Sequence, residues 1–389
     1  MFLGYTEESL KRGGGFATAK EIHQQPYLWA ELYTSLLKQK DEIKGFLNNV
    51  LNIKGIKIII SGAGTSAFIG NSTEGYLRRN LGLDVEAIDT TDIVAAPENY
   101  LLKKRPTLLI SHARSGNSPE SIATIKLAEK LIEEVYFLNI TCNTEGRLAD
   151  YTSGKKNCLN LFMPKEANDI GFAMTSSFTC MLLTDLLLPY IHELESKREL
   201  IEKISIEAQM IISEDSSKVE DISKQEFDRL IYLGSGDLKG CAQEAALKSL
   251  ELSNGIVNAT YYTCLGFRHG PKASINDSTL VGFFVSNHPY TKLYDIDLIR
   301  EIAGEPGNRQ LMAVMPKETH IEGIDYVFKL KQGLNDIDPS FLTVLYIIYA
   351  QMLAFYKSWH LGIQPDNPNP EGRVNRVVKG VTVYEYLHL

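Results

Sequence analysis

The chain has 389 residues, 44% of them hydrophobic and 23% charged, the balance of a globular protein with room for two cores. Its 40 lysines and arginines against 48 aspartates and glutamates leave a net charge of -8, which argues against nucleic acid or an anionic membrane as a partner. The five cysteines, Cys142, Cys158, Cys180, Cys241 and Cys264, are odd in number and show no CxxC spacing, so they read as buried free thiols and not as a disulfide or metal framework.

The opening MFLGYTEESLKRGGG lacks the apolar core of a signal peptide and predicts a flexible segment through Gly13–Gly15. Helical patterns follow at about 18–25 and 28–50. An apolar run, Lys57 to Ile60, leads into Ser-Gly-Ala-Gly-Thr-Ser (61–66), the sign of a buried strand, a tight turn and a helix start. A strand at Leu83 to Ile88 precedes Asp89. Thr107 to Ile110 is a strand followed by His-Ala-Arg-Ser-Gly-Asn-Ser (112–118) and a helix over 119–133. Val135 to Ile140 and Cys158 to Met163 are further strands, and a long helix is predicted over 171–194. Its apolar run around 181–191 holds Asp185 and Pro189 and is too short to span a bilayer; the protein reads as cytoplasmic, with no membrane partner.

The charged stretch 196–227 reads as a helical connector. Arg229 to Leu233 then enters Gly-Ser-Gly-Asp (234–237), repeating the earlier strand-GxG-helix opening. A helix follows over 239–253, strands near 279–286, 309–315 and 325–330, and a helix over 338–360. The expected division is a helical segment 1–50, a first domain 51–195, the connector 196–227, a second domain 228–360 and a tail 361–389. Alternating strands and helices predict an α/β protein whose parallel sheets are covered on both faces.

Three hydroxyl-bearing loops stand at predicted helix starts: Gly64-Thr65-Ser66, Arg114-Ser115-Gly116-Asn117-Ser118 and Ala173-Met174-Thr175-Ser176-Ser177. Backbone N–H groups and the helix dipole favour an anion at such places. Each loop alone can also be read as a turn and a cap with no ligand. Together, at the strand ends where ligands of open α/β sheets collect, they suggest a phosphate monoester. The first loop also fits a loose dinucleotide fingerprint, with Asp89 as a ribose-binding acid. Lys248 and Glu251 share a helix face, either as a surface ion pair or as working groups. His269, before Gly270-Pro271, lies in a turn, as a structural residue or a proton-transfer group. Lys379 is a lone cation in a short apolar segment.

In order and spacing these residues resemble the sugar-isomerase (SIS) family in its tandem form, as in the isomerase portion of glucosamine–fructose-6-phosphate aminotransferase. The likeness runs from about residue 20. Lys20-Glu21-Ile22-His23-Gln24-Gln25-Pro26 is similar to that family's opening helix. Gly64-Thr65-Ser66, Ser115-Gly116-Asn117-Ser118, Leu247-Lys248-Ser249-Leu250-Glu251, His269-Gly270-Pro271 and Lys379-Gly380-Val381-Thr382-Val383 match its later motifs. The resemblance implies two SIS domains, each a three-layer α/β/α flavodoxin-like sandwich. It also implies a sugar-phosphate substrate, a homodimer or larger homo-oligomer, and no cofactor or metal. Gly64, Thr65, Ser66, Arg114, Ser115, Gly116, Asn117, Ser118, Ala173 and Thr175 would hold the phosphate. Glu251 would move a proton between C1 and C2. His269 would assist ring opening, from its own or a neighbouring subunit, while Lys248 and Lys379 would serve the open-chain sugar's oxygens or amino group.

Ala113-Arg114 and Ala173-Met174 depart from the family pattern, so the substrate is expected to differ from that of the aminotransferase. With Phe2 at the start and no glutaminase domain ahead, glutamine-dependent amide transfer is not expected. The stretch 112–121 is most similar to the branch of tagatose-6-phosphate ketose/aldose isomerases of galactosamine catabolism. A non-catalytic sugar-phosphate sensor would need the hydroxyl loops but not Lys248, Glu251, His269 and Lys379. A nucleotide-dependent dehydrogenase would instead bind a dinucleotide.

Overall fold

In a computed structural model, every residue except 318, 379, 388 and 389 is described. Three helices open the chain: α1 (Glu7–Gly13), α2 (Phe16–Lys38) and α3 (Lys40–Leu51). The predicted flexible opening is therefore a capped helix. Thr6 accepts a hydrogen bond from the Ser9 N–H, acids stand in the first turn and bases in the last, and left-handed Gly14 closes α1. The predicted break near residue 26 is also absent, because α2 runs through Pro26. Proline has no N–H to give the carbonyl four residues back. Here Gln25 Nε2 donates to that carbonyl, Ile22 O, at 3.0 Å.

Two compact units follow from the chain's packing. The first-sheet unit comprises Leu28–Asp169, Ser176–Arg198 and Gly372–Leu389; the second-sheet unit comprises Met1–Tyr27, Ile170–Thr175 and Glu199–Glu371.

The first unit contains β1 (Lys57–Ser61), α4 (Thr65–Leu81), β2 (Asp84–Ala87), α5 (Thr90–Ala95), β3 (Thr107–Ala113), α6 (Pro119–Leu131), β4 (Val135–Thr141), α7 (Arg147–Thr152), β5 (Cys158–Phe162) and α8 (Ser176–Leu187). All its strands are parallel, in the order β2-β1-β3-β4-β5. β1 and β3 are buried throughout, which is why both read as near-continuous apolar runs. One face of β3 packs Leu109 and Ala113 against Ile93 of α5 and Ile122 and Ile125 of α6. α8 is shorter than the predicted helix. It begins at Ser176, and Pro189 and the non-helical Glu193 turn its end into 3-10 geometry.

The second unit contains α9 (Arg198–Met210), α10 (Ser216–Ser223), β6 (Arg229–Gly234), α11 (Leu238–Leu252), β7 (Asn258–Tyr262), α12 (Cys264–Phe267), β8 (Thr279–Phe284), α13 (Pro289–Ala303), β9 (Gln310–Met315), β10 (Tyr326–Lys329) and α14 (Pro339–His360). Its order, β10-β9-β8-β6-β7, is again all parallel. Counted within each sheet, both units have the connectivity 2-1-3-4-5, so the weak repetition of the GxG openings is a repetition of whole topology. β7 escaped sequence reading because it is a half-buried edge strand without an apolar run. α14 is long and apolar enough to cross a membrane, but 94% of its apolar window is buried inside the protein, which makes it a core helix.

Candidate active site

In the 2-1-3-4-5 arrangement the chain leaves the first and third strands in opposite directions, opening a crevice at their carboxyl ends. In the first unit that crevice lies between the β1–α4 and β3–α6 loops. Gly62 is obligatory, because a Cβ there would come within 2.4 Å of the Ser66 backbone carbon. Gly64 has φ 57 and ψ -128, a conformation open to glycine alone. The two glycines thus place Thr65 and Ser66 in the first turn of α4, where both side chains are nearly buried.

The β3–α6 loop is similarly built. Gly116 has φ 61. Ser118 caps α6, accepting from the Ser121 N–H at 3.3 Å, with its hydroxyl 2.7 Å from the Ser121 hydroxyl. Ser115 Oγ accepts from the Asn117 N–H, and Asn117 Oδ1 accepts from the Arg147 N–H at 3.1 Å. Arg114 is buried, and its Nη2 donates to the Arg376 carbonyl at 2.8 Å. Behind the loop, His112 Nε2 lies 3.1 Å from Asp185 Oδ1, and Asp185 Oδ2 accepts from Thr73 Oγ1 at 2.9 Å.

The third loop is arranged differently. Asp169 accepts from the N–H groups of Ser176 and Ser177 at 3.1 and 2.9 Å and from the Ser177 hydroxyl at 2.6 Å. The protein's own carboxylate therefore occupies the N-terminus of α8. Ala173 packs with Leu252 and Ala354 in a small apolar cluster, and Thr175 is fully buried.

The second unit has the same crevice between the β6–α11 and β8–α13 loops, but Asp295 of α13 fills it. Its carboxylate accepts from the Ser235 hydroxyl at 2.6 Å and from the Ser286 N–H at 3.0 Å. Burial pushes the Asp295 carboxyl above its ordinary value. A built-in carboxylate stands where the first unit offers hydroxyls, and it would repel a phosphate.

α11 carries the second set of sequence-predicted residues. Lys248 is 1% exposed, so it is not the partner in a surface ion pair. Its Nζ lies 2.5 Å from Glu251 Oε2 and 3.4 Å from Glu244 Oε1. A lysine this buried requires such partners. Glu244 is fully buried and Glu251 is 23% exposed at its side chain, so Glu251 is the carboxylate with access to a ligand. Glu244 was missed by sequence reading. The signal was present in the spacing 244, 248, 251, which follows one helix face.

His269 is exposed, in the turn after α12. Arg268 and Lys272 flank it, and both pair with Glu301 of α13, Arg268 at 2.7 Å. These pairs hold the turn from both sides. Lys379 lies outside the described residues. All five cysteines are free, and burial raises every thiol above its ordinary value, so none is poised as a nucleophile.

Twin parallel sheets, with hydroxyl loops at one crevice and a buried Lys–Glu cluster on α11, define the sugar-isomerase class of α/β proteins. The SIS domain profile matches residues 52–188. The D-galactosamine-6-phosphate deaminase AgaS of Shewanella sp. ANA-3 is 43% identical over 98% of this chain and 95% of its own. The structure of a candidate tagatose-6-phosphate ketose/aldose isomerase from Clostridium novyi is 46% identical, with a TM-score of 0.97 and 99% of each chain covered. The tagatose-6-phosphate ketose/aldose isomerase of Escherichia coli is 36% identical, with a TM-score of 0.89 over 96% of this chain and 98% of that one. The chain belongs to the AgaS family of SIS-domain proteins.

Proposed function

We propose that this protein converts galactosamine 6-phosphate and water to tagatose 6-phosphate and ammonia. The names of its close relatives support the substrate, and the observation that carries the chemistry is buried Lys248 held between Glu244 and Glu251. Thr65, Ser66, Ser115 and Ser118 hold the phosphate, which orients the sugar at a distance from the reacting carbons. His269 assists ring opening. Glu251 takes the C2 proton of the open-chain aldehyde, giving an enolamine, and returns a proton at C1. The resulting C2 imine is hydrolysed by water, releasing ammonia and leaving the ketone. Lys248 keeps Glu251 in place, and Lys379 serves the oxygens or nitrogen at C1 and C2.

The same carboxylate can do both halves of the transfer because C1 and C2 are adjacent. A sensor would bind the sugar phosphate without turning it over. The protein works in the cytoplasm as a homo-oligomer, and the exposure of His269 on its own chain suits a histidine that reaches a neighbouring subunit's sugar. The test is to supply galactosamine 6-phosphate and glucosamine 6-phosphate separately and to measure ammonia and ketose. Both products from the galacto sugar are expected; binding without either product would favour the sensor.

A further inference from the structure

In the first-sheet unit one buried carboxylate touches both of the elements that lead into or out of the hydroxyl loops. Asp185 of α8 accepts at Oδ2 from Thr73 Oγ1 of α4 at 2.9 Å, and its Oδ1 lies 3.1 Å from His112 Nε2 at the end of β3. All three side chains are buried, Thr73 and Asp185 completely and His112 to within 1%. His112 Nδ1 has no hydrogen-bond partner among the described residues, so the ring's polar hold is on Asp185. One residue further along α8, the Leu186 carbonyl accepts from the Tyr76 hydroxyl of α4 at 2.8 Å, which fixes the two helices to each other.

This bridge begins where the sheet stops joining the two loops. β1 and β3 are paired as far as Ser61 and Ser111. Beyond that register they part: β1 turns into α4, and β3 runs on through His112 to Ser115. Side chains alternate across a strand. With Leu109 and Ala113 facing α5 and α6, His112 faces the other side, where α4 and α8 pack together.

The positions of the two partners give the bridge its reach. His112 is the first β3 residue past the ladder with β1 and stands three residues before Ser115. Thr73 stands about two turns into the helix that Thr65 and Ser66 begin. A phosphate shared by both loops needs their spacing held to about 0.5 Å. Past Ser111 the β1–β3 ladder cannot supply that, whereas the contacts of Asp185 can.

We propose that Asp185 is a positioning residue for the phosphate site: by holding Thr73 and His112 together it fixes the β1–α4 hydroxyl loop against the β3–α6 loop. This rests on the reading that Thr65, Ser66, Ser115 and Ser118 hold the phosphate. Asp185 is too deeply buried to touch the sugar, so its effect on phosphate affinity passes through the loops.

The test uses Thr73→Val and His112→Leu, alone and combined, with Asp185→Asn as the conservative variant. Titration calorimetry of galactosamine 6-phosphate and of inorganic phosphate reads affinity without requiring turnover, and the melting temperature of each variant is followed beside it. Each single variant leaves a buried group short of a partner and should melt earlier; a purely stabilising role predicts that effect alone. The bridge predicts in addition that both ligands bind roughly 3- to 30-fold more weakly in each single variant, the range of coupling carried by packed networks. Because losing either end breaks the bridge, the double variant should lose no more affinity than the more affected single one. Asp185→Asn, whose amide still offers a polar group to each partner, should stay closer to parental than either. Parental affinity for both ligands in both single variants, or losses that add in the double variant, would overturn the proposal. Ser115→Ala and Thr65→Ala separate it from the reading beneath it. If they weaken inorganic phosphate binding and the bridge variants do not, the bridge alone fails; if they leave it unchanged, the phosphate site fails and the bridge with it.

Discussion

Replacing Glu251 by Gln separates a proton shuttle from an ion-pair partner, because the two roles predict losses in different quantities. The structural cost can be worked from the cluster. Lys248 Nζ loses a charged acceptor at 2.5 Å but keeps Glu244 at 3.4 Å. Removing the only partner of a buried charge costs about 3–5 kcal/mol. With the second carboxylate retained, and Glu251 itself partly exposed, the loss should be closer to the worth of one charged hydrogen bond, about 1.5–3 kcal/mol. For a unit of this size that lowers the melting temperature by roughly 3–12 °C. The catalytic cost is separate. Loss of a positioned acid–base group lowers kcat by about two to four orders of magnitude, equivalent to about 2.7–5.4 kcal/mol on the barrier. The assay is ammonia release from galactosamine 6-phosphate, run beside exchange of the substrate's C2 proton in deuterium oxide. Both should fall together while KM stays near parental. A variant that melts earlier yet exchanges the C2 proton at the parental rate would show that Glu251 only pairs with Lys248, and would refute the mechanism.

Ser115→Ala and Thr65→Ala should each raise KM by roughly 10- to 150-fold, the worth of a hydrogen bond to a charged group, with kcat changed less; unchanged KM in both would move the phosphate elsewhere. Asp295→Asn tests the second crevice through pH. Burial raises the folded-state pKa of Asp295, so its favourable contribution is complete below the unfolded carboxylate pKa and is lost as pH rises through the folded value. The asparagine variant should lose that decline in melting temperature above the ordinary carboxylate range, and an identical pH profile in both proteins would contradict the assignment. His269→Asn should slow the cyclic substrate more than an open-chain analogue. Mixed with Glu251→Gln before reassembly, it should regain activity if the histidine crosses between subunits; no recovery in a verified hybrid oligomer would confine it to its own chain.

Much of this architecture was legible because it rests on short-range rules. The Ser-Gly-Ala-Gly-Thr-Ser loop announces itself, since a strand that turns directly into a helix needs glycine at 62 and 64. Glu251 and Lys248 were visible through their spacing, but their burial was not: whether an i,i+3 pair faces water or core depends on what packs over α11. Asp169 and Asp295 illustrate the same limit. Each spends its carboxylate on backbone and hydroxyl donors that a local reading would offer to a ligand, and nothing beside them in sequence reveals that use. The helix through Pro26 fails as a prediction for a comparable reason, because the side chain that replaces the missing bond is a neighbouring glutamine whose rotamer sequence does not state.

The chain's division between its units has a consequence for how it is made. Leu3, Leu10 and Ile22 are buried, but the groups that fix the opening segment come from the far end of the chain. Asp366 accepts from the Thr18 N–H across 348 residues of sequence, Gln25 donates to Gln351, and Tyr356 donates to the Leu3 carbonyl. At about 5–20 residues per second of synthesis, the segment waits on the order of 20–70 seconds on the ribosome before its partners emerge. During that interval its apolar faces are open to chaperones and to other nascent chains. Contacts so distant in sequence also form slowly once available. Packing of the opening helices is therefore expected among the last steps of folding, although they are made well before the residues that fix them.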